Sequence, residues 1–144
     1  PGPGRPENAG ICIDVVKKLG KKIPVFGVCL GHQAICKAYG AEVSYAKQLM
    51  HGKVSQAACS KDSVLFAGLP EQIPVGRYHS LAAVRETMPE ELKVTAVTDD
   101  GEIMAVEHVT DPVMAVQFHP ESILTPDGKA IVENFLRMAE KHGV

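Results

Sequence analysis

Residues 23–28 read Ile-Pro-Val-Phe-Gly-Val, a short continuous apolar run with Cys29 directly behind it. A run of that length and character is expected to be a strand buried on both faces, as inside a parallel sheet. On either side the spacing changes to that of a helix. Residues 9–19 place Ile11, Val15, Val16 and Leu19 at helical intervals, and Gly20 with the lysines beyond it closes the helix. Residues 31–39 form a second such stretch, ended by Gly40 in a position suited to a helix's carboxyl end. Helix, strand, helix is the rhythm of an α/β fold.

The second half has a different pattern. Residues 92–98 and 102–108 alternate apolar and polar side chains about Asp99-Asp100-Gly101, which predicts a hairpin. Residues 113–118 predict a further strand. Thr125 is placed to cap a last helix that starts at Pro126 and buries Ile131, Val132, Phe135, Leu136 and Ala139. Helices with a mixed sheet follow. Residues 44–76 contain short strands and turns that the pattern does not order. With 144 residues, 45% of them hydrophobic, residues 1–144 are expected to form one domain with its own core.

Composition narrows the function. The net charge is −2 and the charged residues are scattered, which gives no reason to expect nucleic acid or a membrane surface as partner. No apolar stretch approaches the roughly 18 residues of a membrane span. The four cysteines contain no C-x-x-C pair, so free thiols in a reducing, cytoplasmic setting are expected.

Gly27-x-Cys29-x-Gly31 has the form of a nucleophile elbow: strand, sharp turn, helix. There Cys29 sits at a helix's amino end, where the dipole and free N–H groups favour a thiolate and can hold an oxyanion. The alternative is a buried cysteine that packs as a small apolar residue. On G-x-C-x-G alone both readings stay open; for Cys12, Cys36 and Cys59 packing is expected. A base is offered by His119, at a strand end. Glu121 lies two residues on, on the same side of an extended chain, where a carboxylate fixes an imidazole's tautomer and direction. A surface histidine beside an unrelated glutamate is the competing reading. His32 is expected to pack or hydrogen-bond in the elbow helix. His51, His108 and His142 are expected at the surface, and His79 in an exposed polar loop able to line a pocket. Cys29-x-x-His32 is the nearest approach to a zinc pattern, and neither metal nor cofactor is expected.

Four segments then occur in a telling order: PGPG at 1–4, GVCLGHQAI at 27–35, GRYHSL at 76–81 and QFHPESILT at 117–125. Together, and along the whole chain, they resemble the class I (triad) glutamine amidotransferases. GRYHSL and QFHPESILT are most similar to the glutaminase component of anthranilate synthase or of aminodeoxychorismate synthase. The resemblance implies a three-layer, flavodoxin-like open mixed sheet with helices on both faces. It implies Cys29 as nucleophile, His119 as general acid and base, and Glu121 as its orienter. The oxyanion hole would be the N–H groups of Leu30 and Gly2, and glutamine would be held by Gly2, Pro3, Gly4, Gln33, Ser80 and Leu81. L-glutamine is the implied substrate, and a chorismate-binding synthase subunit the implied hetero-oligomeric partner, in the tryptophan branch or the folate branch. Members of this family carry a strand and a helix ahead of the PGPG loop. Their lack here implies an exposed sheet edge, an open wall of the glutamine pocket and incomplete activity from these residues alone. Two other readings remain: a stand-alone cysteine hydrolase of the same fold, and an inactive interaction module.

Overall fold

The computed structural model describes residues 4–143. Its helices are α1 (Cys12–Leu19), α2 (Leu30–Ala38) and α3 (Gly128–Lys141). The strands in chain order are β1 (Val25–Val28), β2 (Val43–Tyr45), β3 (Lys53–Cys59), β4 (Gln72–Arg77), β5 (Leu81–Ala83), β6 (Leu92–Thr98), β7 (Ile103–His108) and β8 (Val113–Val116). A six-stranded sheet runs β1-β8-β7-β6-β3-β4, and β2 pairs with β5 in a small second sheet. Only β1–β8 is parallel, with Val28 opposite Val116; all other described pairings are antiparallel.

Alternation along β8 builds the layers. Val113 and Ala115 face Val16 of α1 and Ile35 and Cys36 of α2. Met114 and Val116 face the opposite way, into a core with Phe118, Phe66, Ile131 and Met138. Helices therefore cover both faces of a mixed sheet, the three-layer arrangement expected. Each fully buried Val, Ile, Phe or Met among them contributes about 1.5–3 kcal/mol relative to exposure.

The predicted hairpin forms between β6 and β7, with Thr98 N–H donating to Glu102 O at 3.0 Å and Gly101 at φ +84°. Other expectations need correction. The apolar run is a four-residue strand at the sheet's edge, half-buried on its outer positions; Ile23 is exposed and precedes it. The first helix begins three residues later than predicted. Of its predicted apolar stripe only Val16 is buried, while Ile11 stands just before the helix as its N-cap and is 72% exposed. Thr125 does not cap α3: its hydroxyl accepts the N–H of Gly76 at 2.8 Å and so ties the loop to β4, and the helix starts at Gly128 behind Asp127. The buried face of α3 is Ile131, Asn134, Met138 and Ala139, with Phe135 stacked on Phe26 at 5.0 Å between ring centroids; Leu136 points to solvent. Asn134 is invisible to a purely apolar pattern. Its carboxamide donates to Leu65 O at 2.8 Å and Ala67 O at 3.0 Å, satisfying the buried Leu65 carbonyl and fixing the loop beside it.

Candidate active site

The parallel β1–β8 pair brings two distant segments to one end of the sheet. Cys29 follows β1 and His119 follows β8. The ladder runs on past the strands, with Cys29 N–H donating to Val116 O at 2.9 Å. Cys29 is the sole described non-glycine residue with positive φ (φ 55°, ψ −104°) and is the N-cap of α2. Held strain of this kind costs of order 1–3 kcal/mol and persists only where the surroundings enforce it. The enforcement is visible at Gly27: a Cβ there would lie 2.7 Å from the backbone C and O of Gly31 and from Ile35 Cδ1. The missing side chain lets α2 press directly on β1. At Gly31 itself an added Cβ would meet nothing within 4 Å.

The electrostatics differ from the sequence expectation. Cys29 is 6% exposed, and burial pushes its thiol up. The Leu30 backbone N–H and the Gln117 carboxamide pull it down, the charge of Glu121 pushes it up, and the net shift is upward. A helix amino end does favour the thiolate, as expected, but desolvation outweighs it. The other cysteines are also free thiols. Cys36 is fully buried and raised to about 12 by desolvation, and Cys59 is half-buried, but Cys12 is exposed, against expectation.

His119 and Glu121 are joined as predicted, Nδ1 to Oε2 at 2.7 Å. The imidazole is mostly covered and the carboxylate 65% exposed. The backbone N–H of His119 donates to Gly76 O at 3.1 Å, and the ring of Tyr78 stands edge-on to His119 at 5.0 Å between centroids. Tyr78 also lines a small cavity of ≈ 90 Å³ with Gly4, Cys29, Gln33, His79, Ser80 and Leu81. Thus Gly4, Gln33, Ser80 and Leu81, named from sequence as glutamine-holding, surround the thiol. Leu30 begins α2 directly behind it. Gly2 and Pro3 lie outside the described residues.

Two residues of the site escape the sequence reading. Gln117, 0% exposed, donates from Nε2 to Cys29 Sγ at 3.6 Å and accepts at Oε1 from Gln33 Nε2 at 3.0 Å. Its signal is the same period of two that links His119 to Glu121, extended one step back. Tyr78 has no signal beyond proximity to His79. His79 itself is buried rather than exposed. Burial lowers it to about 4, and Nδ1 meets Leu81 O at 2.8 Å. His32 is buried as expected and lowered to about 3 by desolvation, with Cys36 Sγ 3.8 Å from Nε2. His51 and His142 are exposed, but His108 is half-buried, its ring tilted against Tyr39 at 4.7 Å between centroids and accepting the Asp111 N–H at Nδ1. Among the described residues no cluster of three or more His, Cys, Asp or Glu is arranged to hold a metal ion. No described helix is long and apolar enough to cross a membrane.

Comparison with known proteins adds an independent line. Residues 1–139 match the model of the family Glutamine amidotransferase class-I. The chain is 51% identical over 142 residues to Anthranilate synthase component 2 of Pseudomonas aeruginosa, covering 95% of this chain and 70% of that one. It is 46% identical over 141 residues to Aminodeoxychorismate/anthranilate synthase component 2 of Bacillus subtilis, covering 98% and 72%. Bifunctional protein TrpGD of Thermotoga maritima is 48% identical over 140 residues, and there the chain spans 97% of its own length but 24% of the relative's. Among solved structures, a candidate GMP synthase component from Thermoplasma acidophilum superposes with a TM-score of 0.81 at 28% identity, covering 90% of this chain and 65% of that one. A strained cysteine elbow, a His–Glu pair at the end of the adjacent parallel strand and a family match over nearly the whole length agree: the chain belongs to the class I glutamine amidotransferases.

Proposed function

We infer that this chain is the glutamine-hydrolysing component of a chorismate-aminating synthase, acting in the cytoplasm as one amidotransferase domain over residues 1–144. The observation that carries the reading is that the parallel β1–β8 pair brings Cys29 and the His119–Glu121 pair to the same end of the sheet. The relatives named as anthranilate synthase component 2 support the tryptophan branch. The Bacillus subtilis relative carries both names, which supports a second reading in which the same component also serves aminodeoxychorismate formation.

Glutamine enters with its carboxamide at Cys29 and its amino-acid end against Gly4, Gln33, Ser80 and Leu81. Because burial raises the thiol, the nucleophile is a thiol that gives its proton to His119 as it attacks, not a standing thiolate. The S–C bond forms and the carbonyl oxygen becomes an oxyanion held by the Leu30 N–H, with Gly2 the second donor that the family resemblance implies. His119 returns the proton to the nitrogen, the C–N bond breaks and ammonia leaves. Water, deprotonated by His119, then cleaves the thioester to glutamate and restores the thiol. Glu121 holds the imidazole's direction through its 2.7 Å contact. Ammonia passes to the chorismate-binding synthase subunit, the partner in a hetero-oligomer, and no cofactor takes part.

Cys29→Ser in the complex with the synthase subunit tests this. Amination fed by glutamine is expected to vanish while amination fed by ammonium salts persists. Loss of both, or survival of the glutamine-fed reaction, overturns the reading.

A further inference from the structure

Arg77 ends β4 and is 1% exposed, yet neither the fold nor the chemistry above explains a guanidinium there. Its Nη1 donates to Ser55 Oγ at 3.1 Å and meets Asp100 Oδ2 of the β6–β7 turn at 3.5 Å. Its Nη2 is buried without a partner. Its Nε donates to His79 Nε2 at 3.1 Å. A guanidinium has no acceptor, so that nitrogen of His79 must be unprotonated. The ring proton is then on Nδ1 and is donated to Leu81 O, 2.8 Å away. Leu81 O also receives Gln33 Nε2 at 3.0 Å, and the other hydrogen of Gln33 Nε2 goes to Gln117 Oε1 at 3.0 Å. With both amide hydrogens committed, Gln33 is left with its oxygen to offer a ligand.

We propose that Arg77 is a positioning residue for the Cys29 pocket: it fixes the His79 tautomer, His79 fixes the Leu81 carbonyl, and that carbonyl with Gln117 fixes the Gln33 carboxamide. Without Arg77, His79 is free to carry its proton on Nε2. Nδ1 then faces the Leu81 carbonyl lone pair to lone pair, and that carbonyl turns away from Gln33. The effect falls on glutamine recognition, since nothing in this chain of contacts touches the sulfur except Gln117. Arg77 makes no contact with substrate in this arrangement; it acts through His79.

This inference rests on the proposed glutaminase site, and two reagents separate the two. A diazo-ketone glutamine analogue needs the pocket and the thiol, whereas iodoacetamide needs only the thiol; adducts are read at the Cys29 peptide by mass spectrometry, on the chain in complex with its synthase subunit. In Arg77→Met, labelling by the analogue is expected to fall roughly tenfold or more, the scale of one buried group losing its partner. The iodoacetamide rate is expected to stay within about twofold of the parent, because a thiol still facing Gln117 keeps its reactivity. Arg77→Lys is expected to fail likewise, since an ammonium cannot reproduce the fork. His79→Gln, whose amide can accept from Arg77 and donate to Leu81, is expected to keep analogue labelling above that of Arg77→Met. If Arg77→Met does not fold, Arg77→Lys, which keeps the buried charge, is read by the same pair of reagents and the same outcomes apply. Unchanged analogue labelling, or an equal fall with both reagents, refutes the positioning role. A parent chain that the analogue leaves unlabelled refutes the glutaminase reading instead.

Discussion

One methyl group added at Gly27 should damage the elbow, while the same group added four residues later should not. At Gly27 the new Cβ would lie 2.7 Å from two backbone atoms of Gly31 and from Ile35 Cδ1. Ile35 can rotate, but the backbone atoms of an α2 turn cannot move without moving the helix. Overpacking of this kind costs about 1–3 kcal/mol, and the entropy gained on replacing glycine in the unfolded chain returns about 0.4–1 kcal/mol. The net for Gly27→Ala is a loss of about 1–2 kcal/mol, with α2 displaced from β1 and Cys29 carried along. At Gly31 the Cβ meets nothing within 4 Å and the residue is helical. Gly31→Ala should therefore be neutral or stabilise by up to about 1 kcal/mol. Urea unfolding followed by circular dichroism measures both, read as midpoint shifts at constant slope. Labelling of Cys29 by the glutamine analogue reports whether the displacement reaches the thiol. Equal shifts for the two variants, or a stable Gly27→Ala with unchanged labelling, would refute the claim that helix-on-strand contact sets the elbow.

Two further outcomes concern stability. His32 and His79 are held neutral, lowered to about 3 and about 4 by burial. The unfolded chain therefore binds their protons first: their contribution is complete above about pH 6.5 and is lost as pH falls from there towards 4. Urea midpoints should drop across that window, by up to about 1.4 kcal/mol per pH unit for each histidine, and their ring proton signals should stay at neutral shifts at pH 5. Neutral-to-charged transitions near pH 6.5 in the folded protein would contradict this. Asn134→Ala leaves the buried Leu65 carbonyl and the partly buried Ala67 carbonyl without their donor. It should cost about 1–3 kcal/mol in the same assay; a loss below about 0.5 kcal/mol would mean that water replaces the amide.

What can be read in advance divides along a physical line. The hairpin about Gly101, the helix behind Cys29 and the His119–Glu121 contact all depend on neighbours within a few residues, and a one-dimensional pattern carries them. The edge position of β1, the exposure of Ile11 and the true office of Thr125 depend on partners tens of residues away. An apolar run looks the same at a sheet's margin as at its centre, and Thr125 looks like a cap until Gly76 is seen beside it. The triad candidates are legible because strand-end chemistry is local. For Gln117 the period of two gives the face but not the role, because its two partners, Cys29 and Gln33, become neighbours only through the parallel β1–β8 pair. The charge state of Cys29 is hidden for the same reason. A helix end is visible in sequence, but the desolvation that overrides it comes from the whole fold.

The central claim is that the Cys29 sulfur takes up the glutamyl group. The complex mixed with glutamine and quenched in acid within a turnover, then digested and weighed, tests it most directly. A γ-glutamyl adduct on the Cys29 peptide, absent from Cys29→Ser, is the predicted result. Glutamate release continuing in Cys29→Ser, with no adduct on the parent peptide, would contradict it.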